Sequence, residues 1–113
     1  MIIRKNELTF GVRESIRGGA GKALAANYLK ENDQQSIRFV SVIELEPSAS
    51  VGEHIHENDE EFYLVMKGSG TGILDGKQFE VVEGDAFVCK KNHTHGIKAS
   101  KEGLTFLAVL SGS

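Results

Sequence analysis

Disulfide bonds, kinked strands and buried indoles have almost no raw material in this chain of 113 residues: it holds one cysteine, one proline and no tryptophan. A single thiol, Cys89, excludes an intrachain disulfide, so the fold must rest on its core. It also fits a reducing compartment. No stretch approaches the roughly 20 apolar residues of a membrane span. The start, Met1-Ile2-Ile3-Arg4-Lys5, lacks an apolar run of signal-peptide length. A cytoplasmic protein with no membrane partner is expected. Charge of one sign is scarce too. The net charge is −3, with acids and bases interleaved, which leaves no basic field for nucleic acid.

What is present is glycine, 13 residues of it, set between short β-branched and aromatic runs. That pattern predicts an all-β single domain with tight turns. Ile37 to Leu45 alternates, with Ile37, Phe39, Ser41, Ile43 and Leu45 on the more apolar, inward face. Further strands are expected at Glu53 to His56, Glu61 to Lys67, Thr71 to Leu74, Lys77 to Val82, Ala86 to Cys89, His95 to Ala99 and Leu104 to Leu110. Pro47 to Gly52, Gly68-Ser69-Gly70, Glu83-Gly84-Asp85 and Lys101-Glu102-Gly103 read as turns between them. Asp75-Gly76 is the strongest hairpin signal. Such spacing argues a sandwich or small barrel. Lys22 to Lys30 reads as helix on propensity alone, and residues 1–21 give little pattern.

The histidines carry the chemical signal. His54 and His56 stand two apart, so on a strand both rings share one face, about 6.5–7 Å apart at the backbone. Rings at that spacing can converge on one ion, since a metal binds imidazole nitrogen at about 2.0–2.1 Å. Alone, such a pair is more often structural. Three acids follow, Asp59, Glu60 and Glu61, of which Glu61 shares a face with Tyr63 and Val65. A fourth ligand must come from His93 or His95. His95 shares a face with Ile97, whereas His93 lies in a turn nearer solvent. A divalent metal site is the expectation. Two weaker signals fail. Arg17 to Lys22 lacks the first glycine and the Ser/Thr of a phosphate loop, having Ile16 and Ala23 there. Cys89, on an apolar strand, reads as core packing.

These residues resemble the cupin family. Its first motif asks for His-x-His, three or four residues, Glu, six residues and Gly. His54, His56, Glu61 and Gly68 match, and the last offset selects Glu61 over Glu60. The motif's leading glycine is Ser48 here. The second motif is similar from Gly84 onward, with His95 on the histidine position, although Lys90, Asn92 and Ala99 replace its Pro, Gly and Asn.

The resemblance implies a jelly-roll (double-stranded β-helix) barrel over residues 37–113. Residues 1–36 would be an arm of strands packed on one barrel or swapped between two, which favours strand over helix for Lys22 to Lys30. It also implies a homodimer and one divalent ion (Mn, Fe, Ni, Co, Cu or Zn) held by His54, His56, Glu61 and His95. The ion would act as a Lewis acid on a small polar organic molecule, in dioxygenation, decarboxylation or isomerisation. The alternative is a small-molecule-binding or sensor module without turnover. Tyr63 and His93 are the candidate catalytic side chains, Tyr63 because its parity matches Glu61. A pocket of Phe39, Ser41, Ile43, Tyr63, Phe87, Phe106 and Ala108 is expected. An oxalate-type decarboxylase would want an inward basic group. Arg38 has the wrong parity for that, and Lys90 and Lys91 sit at the rim.

Overall fold

The computed structural model describes residues 1–30 and 36–112. Eight antiparallel strands follow in order: β1 (Gly11–Glu14), β2 (Lys22–Leu29), β3 (Ile37–Leu45), β4 (Ser50–Ile55), β5 (Asp59–Leu74), β6 (Lys77–Val82), β7 (Ala86–Cys89) and β8 (Thr94–Gly112). Two short 3-10 turns, Lys5–Glu7 and Ile16–Gly18, complete the elements. Among the described residues no helix is long and apolar enough to cross a membrane.

Two strands are longer than the sequence predicts. β5 runs through Gly68-Ser69-Gly70, and β8 through Lys101-Glu102-Gly103, both read above as turns. The physical reason is a bend at paired glycines. Gly68 and Gly103 each adopt φ +82, and a Cβ on Gly68 would lie 2.2 Å from the Gly103 carbonyl oxygen. Only glycine permits that approach, so both strands turn the corner together; the ladder shifts register there, from Gly68 opposite Leu104 to Gly70 opposite Ala99, and residues 100–103 bulge out. Their first and second halves thus belong to opposite walls. Asp59 to Gly68 pairs with Leu104 to Gly112, flanked by β3 on one side and β7 on the other. Gly70 to Leu74 pairs with His95 to Ala99, flanked by β4 and β6.

The first wall is extended by β2 and then β1, paired edge to edge onto β3. Lys22–Leu29 is therefore strand, although its alanines and leucines favour helix. Ladder pairing and the burial of Ala23 and Ala26 override local propensity.

The core lies between the walls. Phe106, Ile97, Leu104 and Val65 are the largest of its fully buried apolar side chains. Along β5 the inward row runs Val65, Tyr63, Glu61. Along β8 it runs Phe106, Ala108, Leu110, and along β3 Leu45, Ile43, Ser41. Apolar residues thus fill the floor, while ionisable ones rise toward one mouth.

Candidate metal centre

β4 carries an irregularity that aims its histidines. Val51 pairs with Ile97 and His54 with His95, three residues on β4 against two on β8. This extra residue lets both Val51 and His54 face inward, as bulges beside functional sites do. Gly52 lies within it. A Cβ there would stand 2.2 Å from the Arg17 carbonyl oxygen, so the Ile16–Gly18 turn packs directly on the bulge. Pro47 to Gly52, expected as a turn, is in fact strand from Ser50 onward, recruited by pairing with β8.

The structure brings His54, His56, Glu61 and His95 together. One donor atom from each lies within 4.8 Å of every other. The His95 Nε2 is 2.9 Å from His56 Nε2, 3.1 Å from His54 Nε2 and 3.1 Å from Glu61 Oε1. The His56 Nε2 is 3.2 Å from the same Oε1. Two ligands bonded at about 2.1 Å to one ion at right angles stand about 3.0 Å apart. These four edges match that spacing.

The tautomers agree. Nδ1 of His54 lies 2.7 Å from the Gly52 carbonyl oxygen, which only accepts, so Nδ1–H donates there. Nδ1 of His56 lies 2.6 Å from Asp59 Oδ1, and the other Asp59 oxygen takes a 2.8 Å bond from Arg38. In the neutral rings of these two histidines Nε2 then presents a lone pair inward, while Nδ1 of His95 is buried without a hydrogen-bond partner. A ring proton shared with Glu61 relieves these contacts one at a time, whereas a cation between the lone pairs and the carboxylate would relieve all of them together. Three imidazoles and one carboxylate suit a first-row divalent ion, so the cluster can hold one.

Burial opposes charge on Glu61, yet hydrogen bonds from His56 and His95 outweigh it and bring the carboxyl down to about 2. The bond to Glu61 raises His56 above its ordinary value, against burial and with help from Asp59. Burial lowers His54. Tyr63 is buried with its ring stacked on His95 at 4.5 Å. Burial first, then the charge and hydrogen bond of Glu61, push its hydroxyl well above the usual tyrosine range. It stays protonated beside that carboxylate.

His93 does not join the cluster. Its half-exposed ring bonds Asp75 Oδ2 at 2.6 Å on the outside of the barrel. What it offers the site is its backbone carbonyl, 3.1 Å from the His56 amide nitrogen.

A cavity of about 240 Å³ opens above the cluster. Phe39, Ser41, Ile43 and Tyr63 line it as expected, but Phe87, Phe106 and Ala108 lie in the core beneath. Arg13 and Arg17 line it too. Sequence parity missed them because Arg13 sits on β1, too short to show a period, and Arg17 in the irregular turn between β1 and β2. Their only signal was two arginines flanking an isolated apolar residue, Ile16, beside a glycine cluster.

The family model for the cupin domain matches residues 41–110. The chain belongs to the cupin family. The oxalate-binding protein of Thermotoga maritima (strain ATCC 43589 / DSM 3109 / JCM 10099 / NBRC 100826 / MSB8) is 32% identical over 112 residues, covering 97% of this chain and 93% of that protein. Among solved structures, a predicted oxalate decarboxylase from Thermotoga maritima superposes with TM-score 0.91 at 30% identity, over 100% of both chains. KdgF from Halomonas sp. gives TM-score 0.80 at 17% identity, over 100% of this cupin and 94% of its own chain, a likeness of fold.

Proposed function

We propose that this cupin holds one divalent metal ion through His54, His56, Glu61 and His95 and binds a small carboxylate beside it. The observation that carries the proposal is the convergence of three Nε2 atoms and one carboxylate oxygen at edges of 2.9–3.2 Å. The ligand class is supported by the relative named for oxalate binding, similar along nearly its whole length. A bound ion would supply Lewis acidity, drawing electron density from a ligand oxygen. The protein's own groups orient and enclose. Tyr63, buried and stacked on His95, keeps its proton beside the Glu61 carboxylate at the cavity wall. His93, whose ring faces Asp75, takes no part in this reading beyond its carbonyl. The unit is proposed to be a homodimer.

The test is metal content by elemental analysis on wild type and a His54→Ala/His95→Ala variant in parallel, followed by calorimetric titration with oxalate. About one ion per chain in wild type, none in the variant, and metal-dependent oxalate binding are expected. Wild type that takes up no metal even after reconstitution would overturn the proposal.

A further inference from the structure

We propose that Arg17, assisted by Arg13, is the counter-charge that makes the site selective for a small dianion, a short dicarboxylate, over a monocarboxylate. The inference rests on the metal-and-carboxylate reading above and adds the residues that decide which carboxylate fits.

Charge balance points to it. Two carboxylates line the cavity, Glu61 and Asp59. Among the described residues neither Arg13 nor Arg17 has an ion-pair partner, whereas Asp59 is shared between His56 and Arg38. Arg38 already offsets Asp59, and a divalent ion at the cluster would more than offset Glu61. The two arginines then leave the cavity with two positive charges that nothing in its lining offsets. A monocarboxylate answers one of them, and a dicarboxylate answers both. The cavity, about 240 Å³, has room for a short dicarboxylate beside the cluster.

The build of the Ile16–Gly18 turn points the same way. Arg17 sits in the left-handed region at φ 53 and ψ 36, next but one to Ser15 at φ 48. Non-glycine residues held there tend to mark sites where position matters. Several contacts hold this one. The Ile16 side chain is buried in the barrel core. The Ala20 amide donates to Ser50 Oγ at 2.9 Å, and the Ser50 amide donates back to the Ala20 carbonyl at 2.8 Å. Gly19 and Gly52 allow the turn and β4 to touch, since a Cβ on either would stand 2.2 Å from the opposing carbonyl oxygen. Gly52 belongs to the same bulge that aims His54. One backbone feature therefore fixes both a histidine of the cluster and the arginine opposite it. The Arg17 charge reaches the site, lowering the pKa of both His54 and Tyr63. Arginine suits the task, because its planar fork takes a carboxylate through two parallel bonds where lysine offers a point charge.

The experiment is calorimetric titration of manganese-loaded protein with oxalate and, separately, acetate. Wild type, Arg17→Met, Arg17→Lys, Arg17→Gly and Arg13→Met are compared, with metal content and melting temperature recorded for each. Arg17→Met should weaken oxalate binding about tenfold or more, change acetate binding by no more than about twofold to threefold, and leave metal content intact. Arg17→Lys should recover part of the loss, and Arg13→Met should show a smaller one. Arg17→Gly suits the left-handed backbone, so it should reproduce the Arg17→Met loss even if that variant folds poorly. Oxalate affinity unchanged in Arg17→Met and Arg17→Gly, or oxalate and acetate falling together, would overturn the inference alone. Wild type binding neither metal nor oxalate would instead remove the reading on which it stands.

Discussion

Asp59 grips the far side of the His56 ring: its Oδ1 lies 2.6 Å from Nδ1, while Nε2 faces the cluster. Arg38, 2.8 Å from the other oxygen, fixes the carboxylate in turn. This relay sets the ring's rotation and tautomer, and such outer partners typically carry tenfold to hundredfold of metal affinity. Asp59→Asn should therefore weaken metal binding by about that factor while the fold survives. Competition with a coloured chelator measures it directly. Equal affinities would show that the strand alone orients His56.

The pH dependence of metal binding follows from which ligand must lose a proton. Glu61, held down to about 2, is ionised at any ordinary pH. His56 is raised above its ordinary value, chiefly by its bond to Glu61, so it holds its proton more tightly than a free imidazole and must release it to bind metal. Affinity should fall steadily as pH drops from about 8 to about 5. In the metal-free protein the signs separate. The depressed Glu61 stabilises the fold above its unfolded value of 4.5, and that contribution is lost as pH falls toward 2. The raised His56 stabilises it below 6.5, and that contribution is lost as pH rises through its folded value. His54, lowered by burial, opposes folding as pH falls through 6.5. Chelator competition across this range is the check. A flat profile that breaks only below about pH 5 would make a carboxylate the controlling group.

The metal cluster was legible in the sequence because strand periodicity is strict. His54 and His56 share a face by counting, and the resemblance to the cupin motif, through its offset from Glu61 to Gly68, picks one acid out of three. The walls of the cavity were not legible to the same degree. Arg13 sits on β1, a strand of four residues too short to show a period, and Arg17 enters from a turn where side-chain direction is set by left-handed residues and by the close approach of Gly19 and Gly52. Val51 and His54 share a face through an irregularity that parity alone denies. Gly68 and Gly103 look like strand breaks, since a local reading cannot know that they meet each other.

That meeting yields a stability prediction. Gly68→Ala must place a methyl group against the Gly103 carbonyl at φ +82. It should cost about 2 kcal/mol or more, because strain and clash add. Gly76, in the β5–β6 hairpin, also has positive φ but open space around it. Gly76→Ala should cost only about 1 kcal/mol, the left-handed penalty by itself. Urea midpoints at constant slope compare the two. Equal losses would remove the steric account of the corner.

β1 pairs only with β2 among the described residues, leaving its outer edge open. Val12 and Leu24, opposite each other in that pair, are 64% and 43% exposed. An open edge beside an apolar pair invites a second chain. Light scattering should give about twice the chain mass of 12.3 kDa, and a Val12→Lys/Leu24→Lys variant should shift toward the monomer. An unchanged dimer in that variant would move the interface elsewhere.

Cys89 gives a probe of the segment that positions His95. Burial pushes its thiol up to about 11, and its Sγ lies 3.3 Å from the His93 carbonyl oxygen. That carbonyl also accepts from the His56 amide at 3.1 Å, and the Asn92 amide returns a 2.6 Å bond to the His56 carbonyl. One short stretch therefore ties β7, β4 and the start of β8 together. A thiol this buried and this weakly acidic reacts only when the stretch opens. Labelling with a disulfide reagent should be slow in the native protein and complete at one thiol per chain in denaturant. Metal should slow it further, because His56 and His95 on either side of the stretch would then be joined through the ion. Fast labelling that ignores metal would mean that this stretch opens without disturbing the cluster.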